Sequence, residues 1–154
     1  MSVVVNNKGA FIGKNVILIG SGVVTLDKGS EIREFTVIEM LNGRLTLGQN
    51  TVIGYHSFFQ CTGDLIIGNG SLLGPHVVCV TSSHPVNDQP LVGQPLIRGE
   101  ITIGDNVWIG ANVTVGYNTS IGSNAIVAAN SFVNKEIPPN EIWGGVPAKK
   151  IRNR

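Results

Sequence analysis

Residues 103–136 read IGDNVWIGANVTVGYNTSIGSNAIVAANSFVNKE, and this stretch decides the fold. In steps of six, the first position is always Ile or Val, and the second is Gly as far as Gly122. Asn holds the fourth position from Asn106 to Asn130. A short period kept without a gap indicates a solenoid, because each repeat needs its neighbours to bury its apolar side.

Each six-residue unit has the chemistry of a short strand followed by a corner. β-branched residues favour strands, and Asn tolerates the left-handed backbone conformation that a tight corner requires. Three such units close one triangular coil of about 18 residues, which is the geometry of a hexapeptide β-helix. The pattern therefore predicts an all-β parallel β-helix whose first-position aliphatic residues stack inward as a column.

The same phase continues toward the N-terminus with small interruptions. Triplets of units begin at Leu26, Leu47, Ile67 and Ile103, and the extra residues between them coincide with Asn-Gly and Gly-Asp turn dipeptides. We expect about six coils between residues 9 and 138, within a single domain that spans residues 1–154. The repeat is predicted to end at Pro138–Pro139, where a short C-terminal tail begins.

The composition excludes several classes of function. The 154 residues carry a net charge of +1 and only 14% charged side chains, so the chain lacks the basic field of a nucleic-acid-binding protein. Its apolar runs are shorter than a membrane span, and the run after Met1 is too short for a signal peptide. Two cysteines do not make a disulfide framework. We therefore expect a cytoplasmic protein.

One segment interrupts the repeat and is named here the excursion. Residues 85–99, PVNDQPLVGQPLIRG, contain three prolines, which cannot donate to a strand ladder. Because the phase is kept on both sides, the segment is predicted to leave the helix and return to it. Long loops inside repeat folds are usually functional. His84 precedes the excursion directly, and a neutral imidazole at that place can accept a proton from a hydroxyl.

The chain resembles the hexapeptide acyltransferases, and most closely their maltose, galactoside and polysaccharide O-acetyltransferases. Three segments carry the resemblance in matching order and spacing: Ser83-His84-Pro85, residues 103–110 (IGDNVWIG) and residues 144–149 (GGVPAK). The resemblance implies a left-handed β-helix, a homotrimer and acetyl-coenzyme A as cosubstrate, with no metal. It implies that a hydroxyl of a sugar or surface-polysaccharide precursor is acetylated by direct transfer in a ternary complex.

The family's functional residues map onto matching positions of this chain. His84 matches the general base. The matching coenzyme-binding positions, some of which a neighbouring subunit provides in the family, are Trp108, Ala111, Ala129, Asn134, Lys135, Lys149 and Arg152. Trp108 stands in the last repeat position, so it is predicted to face outward, and its simplest interpretation is a subunit contact. Trp143 is expected to pack the tail against the helix.

Two departures from the family concern the acceptor. The helical N-terminal segment of the maltose and galactoside enzymes has no counterpart here, and Gly54 stands where they place an acceptor-binding Asn. Both changes favour a larger saccharide acceptor, with Asn87, Asp88 and Gln89 of the excursion as possible hydroxyl partners. An amino sugar or serine remains the alternative acceptor.

A different class of enzyme also fits part of the sequence. His56 and His76 occupy corner positions one above the other, and with His84 they resemble the zinc ligands of γ-class carbonic anhydrases across a subunit seam. The competing interpretation is that both are corner residues, because His tolerates positive φ. Cys79 falls on the inward column, as a small buried hydrophobe, whereas Cys61 is predicted to lie off that column.

Overall fold

The computed structural model describes residues 2–90 and 92–154. These residues contain no helix, and they wind as a left-handed parallel β-helix of about seven turns. The strands are β1 Val3–Asn7, β2 Phe11–Ile12, β3 Ile17–Leu26, β4 Glu31–Ile32, β5 Val37–Leu47, β6 Val52–Ile53, β7 Phe58–Cys61, β8 Asp64–Ile67, β9 Leu72–Leu73, β10 Val78–Val80, β11 Ser82–Ser83, β12 Ile97–Arg98, β13 Ile101–Ile103, β14 Trp108–Ile109, β15 Thr114–Val115, β16 Thr119–Ile121, β17 Ile126–Val127, β18 Phe132–Val133, β19 Glu141–Gly144 and β20 Lys149–Asn153.

Three parallel faces run along the prism. Face 1 consists of β2, β4, β6, β9, β14, β17 and β19, in that order. Face 2 consists of the first halves of β3 and β5, followed by β7, β10, β15 and β18. Face 3 consists of β1, the second halves of β3 and β5, and then β8, β13 and β16. The predicted β-helix is confirmed.

The core is the predicted column of aliphatic side chains. Ile32, Ile53, Leu73 and Ile109 are fully buried one above the other on face 1, and the equivalent residues of the other faces close around them. Burying an aliphatic side chain of this kind contributes about 1.5–3 kcal/mol to the hydrophobic term. The column is narrow, so Phe59 is the largest side chain that it buries completely.

The corners also have the predicted backbone. Asn106, Asn112 and Asn130 have φ between 53° and 58°, and His56 and His76 have φ of 54° and 58°. Corner amides of successive coils bond to each other, as where Asn106 Nδ2 donates to Asn124 Oδ1 at 2.8 Å. The hypothesis that His56 and His76 replace corner Asn residues is confirmed by these dihedrals.

The repeat is longer at both ends than the sequence predicts. An additional first coil begins with β1, which pairs in parallel with the second half of β3. At the other end Ile137 bridges Ile121 and Ile142 pairs with Ile126, so the helix continues past Pro138–Pro139. The chain then turns back, and β20 pairs antiparallel with β19. Trp143 packs against the core there, in agreement with its expected place.

Cys61 lies off the first-position column, as predicted, because Phe59 occupies that column between Ile38 and Cys79. Cys61 pairs with Met40 in register and is fully buried, as is Cys79. Burial raises the pKa of the Cys61 thiol to about 12, and burial also raises the pKa of the Cys79 thiol. Both thiols are therefore buried hydrophobic groups and not nucleophiles.

Candidate active site

A groove of about 880 Å³ runs along face 1. Its floor is made of small residues that follow the inward aliphatic residue of each coil, among them Gly54, Gly74 and Gly110. Trp108 and Leu72 stand at its side, and they are 52% and 47% exposed. The groove reaches from Arg33, which follows β4, to Arg152 on β20, and these strands are six spacings apart, roughly 29 Å at 4.8 Å per strand.

Coil stacking explains why the groove floor is small. A Cβ atom added at Gly110 would lie 2.6 Å from the backbone nitrogen of Ala129, and one at Gly54 would lie 2.5 Å from the carbonyl carbon of Gly74. Such contacts are too close for real Cβ atoms, so these positions hold glycine. The exposed backbone above them leaves space for an extended ligand to lie close to the coils.

The two ends of the groove carry cationic side chains. Arg152 lies on β20 at the C-terminal end and lines the groove. Arg33 lies at the N-terminal end, where it forms an ion pair of 2.5 Å with Glu31 and sits 5.9 Å from the centre of the Tyr55 ring. Between them the lining is mostly apolar, so the groove suits a ligand with an apolar middle and a negatively charged end.

His84 is on a different part of the molecule. β11 ends at Ser83 and pairs antiparallel with β12, so the excursion leaves and returns as a narrow ribbon at the corner between faces 2 and 3. His84 is exposed at the start of this excursion and does not line the groove of its own chain. The imidazole is therefore accessible, as a proton acceptor for an external hydroxyl must be.

Seven of the eight predicted site residues fall into two groups, and Lys149 belongs to neither. Trp108, Ala111, Ala129 and Arg152 line the groove on face 1. His84, Asn134 and Lys135 follow strands of face 2 and lie toward its corner with face 3. Lys149 is exposed on β20 and does not line the groove. One chain by itself does not bring the two groups together.

Several groove residues are absent from the sequence prediction. Arg33, Tyr55 and Pro75 line the groove beside Ala111 and Ala129. Tyr55 and Pro75 occupy the same repeat column as the two alanines, one position after the small residue. Their place in that column is the sequence signal from which Tyr55 and Pro75 could have been predicted as groove residues.

The three histidines do not converge on a metal site within the chain. The rings of His56 and His76 stack with centroids 5.3 Å apart and an interplanar angle of 13°, and Phe35 stacks on His56 at 5.0 Å. In residues 2–90 and 92–154, no group of three or more His, Cys, Asp or Glu side chains is arranged to hold a metal ion. No helix in these residues is long and apolar enough to cross a membrane.

The regular repeat of the chain matches a known protein family. Residues 100–135 match the family described as bacterial transferase hexapeptide (six repeats). The chain is 39% identical over 109 residues to a sophorolipid acetyltransferase of Starmerella bombicola. This match covers 71% of this chain and 42% of that protein. It is 34% identical over 106 residues to the galactoside O-acetyltransferase of Escherichia coli. This match covers 69% of this chain and 52% of that protein. Residues 100–135 therefore carry the repeat of the hexapeptide transferases, and the two relatives are similar to the chain beyond that repeat.

Solved structures share the fold of the chain. A hexapeptide-repeat acetyltransferase of Vibrio cholerae complexed with acetyl-coenzyme A has a TM-score of 0.71 and 25% identity, and the match covers 97% of this chain and 70% of that chain. AntD, an N-acyltransferase of Bacillus cereus in complex with dTDP and 3-hydroxybutyryl-CoA, has a TM-score of 0.84 at 20% identity, covering 97% and 82%. The chain spans about half the length of the two curated relatives named above.

Proposed function

We propose that the chain transfers an acetyl group from acetyl-coenzyme A to a hydroxyl group of a saccharide. The observation that carries the proposal is the division of the site into an apolar groove with a cationic end and a separate exposed histidine. The groove fits the thioester donor, and the histidine fits a base for a hydroxyl acceptor. The two curated relatives, both named as acetyltransferases, support the same reaction class.

The donor fits the groove by shape and charge. The pantetheine arm is long and thin, and the glycine and alanine floor leaves room for it beside Ala111 and Ala129. The guanidinium of Arg152 is placed to pair with phosphate oxygens at the C-terminal end, and Lys149 lies on the same strand. In this arrangement the thioester end points along the groove toward Trp108.

A homotrimer would complete the site. Faces 1 and 2 carry outward apolar side chains such as Leu72, Trp108, Ile17 and Phe132, whereas face 3 carries outward polar residues at most positions. Apolar surface of this extent on two faces favours association. When face 1 of one chain packs against the corner between faces 2 and 3 of the next chain, the groove residues of one subunit join His84, Asn134 and Lys135 of another.

The chemistry is a direct transfer within a ternary complex. His84 takes the proton of the acceptor hydroxyl, and the oxygen attacks the thioester carbonyl carbon to form a tetrahedral intermediate. The carbon–sulfur bond then breaks, the acetyl ester forms, and the coenzyme A sulfur leaves with the proton that His84 returns. Because the thioester is already activated, a covalent enzyme intermediate is unnecessary, and positioning of both substrates contributes much of the rate.

The acceptor is proposed to be larger than a free disaccharide, such as a nucleotide-, lipid- or glycan-linked saccharide of a surface polysaccharide. A Cβ atom at Gly54 would meet the backbone of Gly74, so an acceptor-binding side chain does not fit there without a shift of the coils. In the excursion, Asn87 and Gln94 bond to each other through their amides, which leaves Asp88 and Gln89 as the freer hydroxyl partners. The buried free cysteines and the donor favour a cytoplasmic location.

Mixing two inactive variants tests the shared site. His84→Ala removes the base, and Ala111→Trp blocks the groove, so each variant alone is expected to be inactive. Random mixed trimers should recover about one quarter of the wild-type activity, because one interface in four combines an intact histidine with an intact groove. Activity is measured as thiol release from acetyl-coenzyme A with a panel of saccharides, amino sugars and serine.

The mixing experiment has two controls. Each variant mixed with itself should stay inactive, and wild type mixed with His84→Ala should lose activity in proportion to the added variant. No recovery in trimers shown by native mass spectrometry to be mixed would refute the shared site. A strong preference for serine or an amino sugar would refute the saccharide hydroxyl as acceptor.

A further inference from the structure

A row of polar side chains crosses face 2 among apolar neighbours. Outward residues of this face include Ile19, Val37, Phe58 and Val80, but Glu39 and Gln60 interrupt them. Glu39, Gln60 and Val80 are aligned on successive coils by the strand register. A carboxylate and an amide on an otherwise apolar surface require a reason, because their partial burial carries a desolvation cost.

Hydrogen bonds join the row to the base of the excursion. Gln60 Nε2 donates to Glu39 Oε2 at 3.1 Å, and the Ser82 hydroxyl donates to Gln60 Oε1 at 2.7 Å. Ser82 lies on β11 and is buried, so the contact fixes the orientation of the Gln60 amide. Each remaining lone pair of the Glu39 carboxylate and of the Ser82 oxygen can accept a further hydrogen bond.

The row begins next to His84 and extends away from the donor side. Ser82 is two residues from His84, which is about 7 Å of extended chain. Glu39 lies two coils from Val80, about 10 Å farther toward the N-terminal end. Asn134 and Lys135, the proposed donor contacts at this corner, lie on the opposite side of His84, toward the C-terminal end.

We propose that the Glu39–Gln60–Ser82 row binds non-reacting hydroxyl groups of the saccharide acceptor. A carboxylate and an oriented amide are the groups that fix sugar hydroxyls, and the aligned length of about 10 Å matches one to two sugar units. Val37, Phe58 and Val78 form the neighbouring outward column, which can pack against the C–H face of a sugar ring. This inference rests on the function proposed above and names the acceptor subsite for it.

The test compares saccharides that differ by one hydroxyl. The probes are methyl β-D-galactopyranoside, methyl β-D-glucopyranoside and their monodeoxy analogues, assayed by thiol release with saturating acetyl-coenzyme A. For the wild type, removal of one hydroxyl away from the reacting one should lower kcat/KM about tenfold, as for a lost hydrogen bond to a charged group. Glu39→Ala should raise the acceptor KM by a similar factor and abolish the penalty for that same analogue.

Glu100→Ala is the matched control. Glu100 is an exposed carboxylate beside face 3, and its backbone N–H donates a hydrogen bond to Asn118 and not to the row, so its loss makes the same change in charge. It should leave the acceptor KM and the deoxy penalty within twofold of wild type. Neither variant should change the KM for acetyl-coenzyme A, which separates acceptor binding from a general effect on the site.

Three outcomes are decisive against the row as a subsite. An unchanged deoxy penalty in Glu39→Ala, with a wild type that acetylates the glycosides, would overturn this inference and leave the proposed function intact. A loss of trimer in Glu39→Ala by sedimentation, with an unchanged acceptor KM in the remaining trimer, would assign the row to subunit contact. A wild type that acetylates neither these glycosides nor any saccharide of the panel used in the mixing experiment would refute the proposed function and the subsite together.

Discussion

The groove on face 1 and the corner that carries His84 are built in different ways. The groove lies within the regular repeat, and its shape is a by-product of coil stacking that demands Gly or Ala at fixed positions. The corner lies where the repeat is interrupted, and its ribbon of β11 and β12 is held by two residue pairs. In the proposed function the scaffold binds the donor and the interruption provides the base, so we expect substitutions in the two regions to change different kinetic parameters.

The largest effect is expected at the corner. His84→Ala should lower kcat by about 100-fold or more, which is the usual contribution of a general base. His84 is exposed, so the melting temperature should change little. The measurement is the steady-state rate together with the binding of coenzyme A by calorimetry. A variant that keeps wild-type turnover would remove His84 from the mechanism.

A smaller effect of a different kind is expected in the groove. Arg152→Ala should raise the KM for acetyl-coenzyme A about tenfold with a minor change of kcat, because a cation–phosphate contact acts on binding. Lys149→Ala should raise it less, about threefold, because Lys149 does not line the groove. Lys28→Ala is the control, since Lys28 is an exposed lysine that does not line the groove. Equal effects at all three positions would contradict a specific phosphate site.

The attachment of β20 should depend on pH. The side-chain hydrogen bond from Lys150, followed by that from the Trp143 indole, lowers the pKa of Glu141. A lowered folded-state pKa means that the stabilisation is present above the ordinary glutamate pKa and is lost as the pH falls through the folded value. Trp143 fluorescence in a Trp108→Phe background should therefore change at acidic pH, below the ordinary value of about 4.3.

The control for this titration is Glu141→Gln. That variant has no carboxylate to protonate, so the acid change in Trp143 fluorescence should disappear, and the neutral-pH spectrum should resemble the acid spectrum of the parent. A transition that persists in Glu141→Gln would assign it to another group.

The regular region was predictable from sequence because its chemistry is local. Ile103, Ile109 and Val115 repeat the inward column, and Asn106 and Asn112 mark the corners, so the fold follows from one period. The first and last coils were missed for physical reasons. Residues 3–7 form a single strand before the corner at Gly9, and one unit is too short to show the period. The prolines at 138 and 139 occupy a corner and do not end the ladder.

The parts of the site that were missed depend on register. Gln60 and Ser82 are 22 residues apart, and only the coil register with its extra residues brings their side chains to 2.7 Å. The same extra residues lengthen β7 to Cys61 and turn that side chain inward. Arg33 and Tyr55 reach the groove from coils whose corner residues, Phe35 and His56, do not match the Asn pattern. Each of these contacts depends on a distance between coils, and the repeat period alone does not give that distance.

The smallest effect is expected at the corner between faces 1 and 2. His56→Asn and His76→Asn should leave kcat/KM within about twofold, because Asn holds the equivalent corner at Asn112 and Asn130 with the same positive φ. The stack with Phe35 is exposed, so its loss should lower the melting temperature by only about 2–4 °C, the shift that corresponds to 1 kcal/mol in a domain of this size. His56→Val is the matched control, since a β-branched residue at positive φ is strained and should lower the melting temperature more than Asn does. Thermal unfolding and metal analysis of the purified protein distinguish a structural corner role of these histidines from a metal-binding role. Stoichiometric zinc that is lost in both Asn variants, together with loss of activity, would assign these histidines to a metal centre formed between subunits.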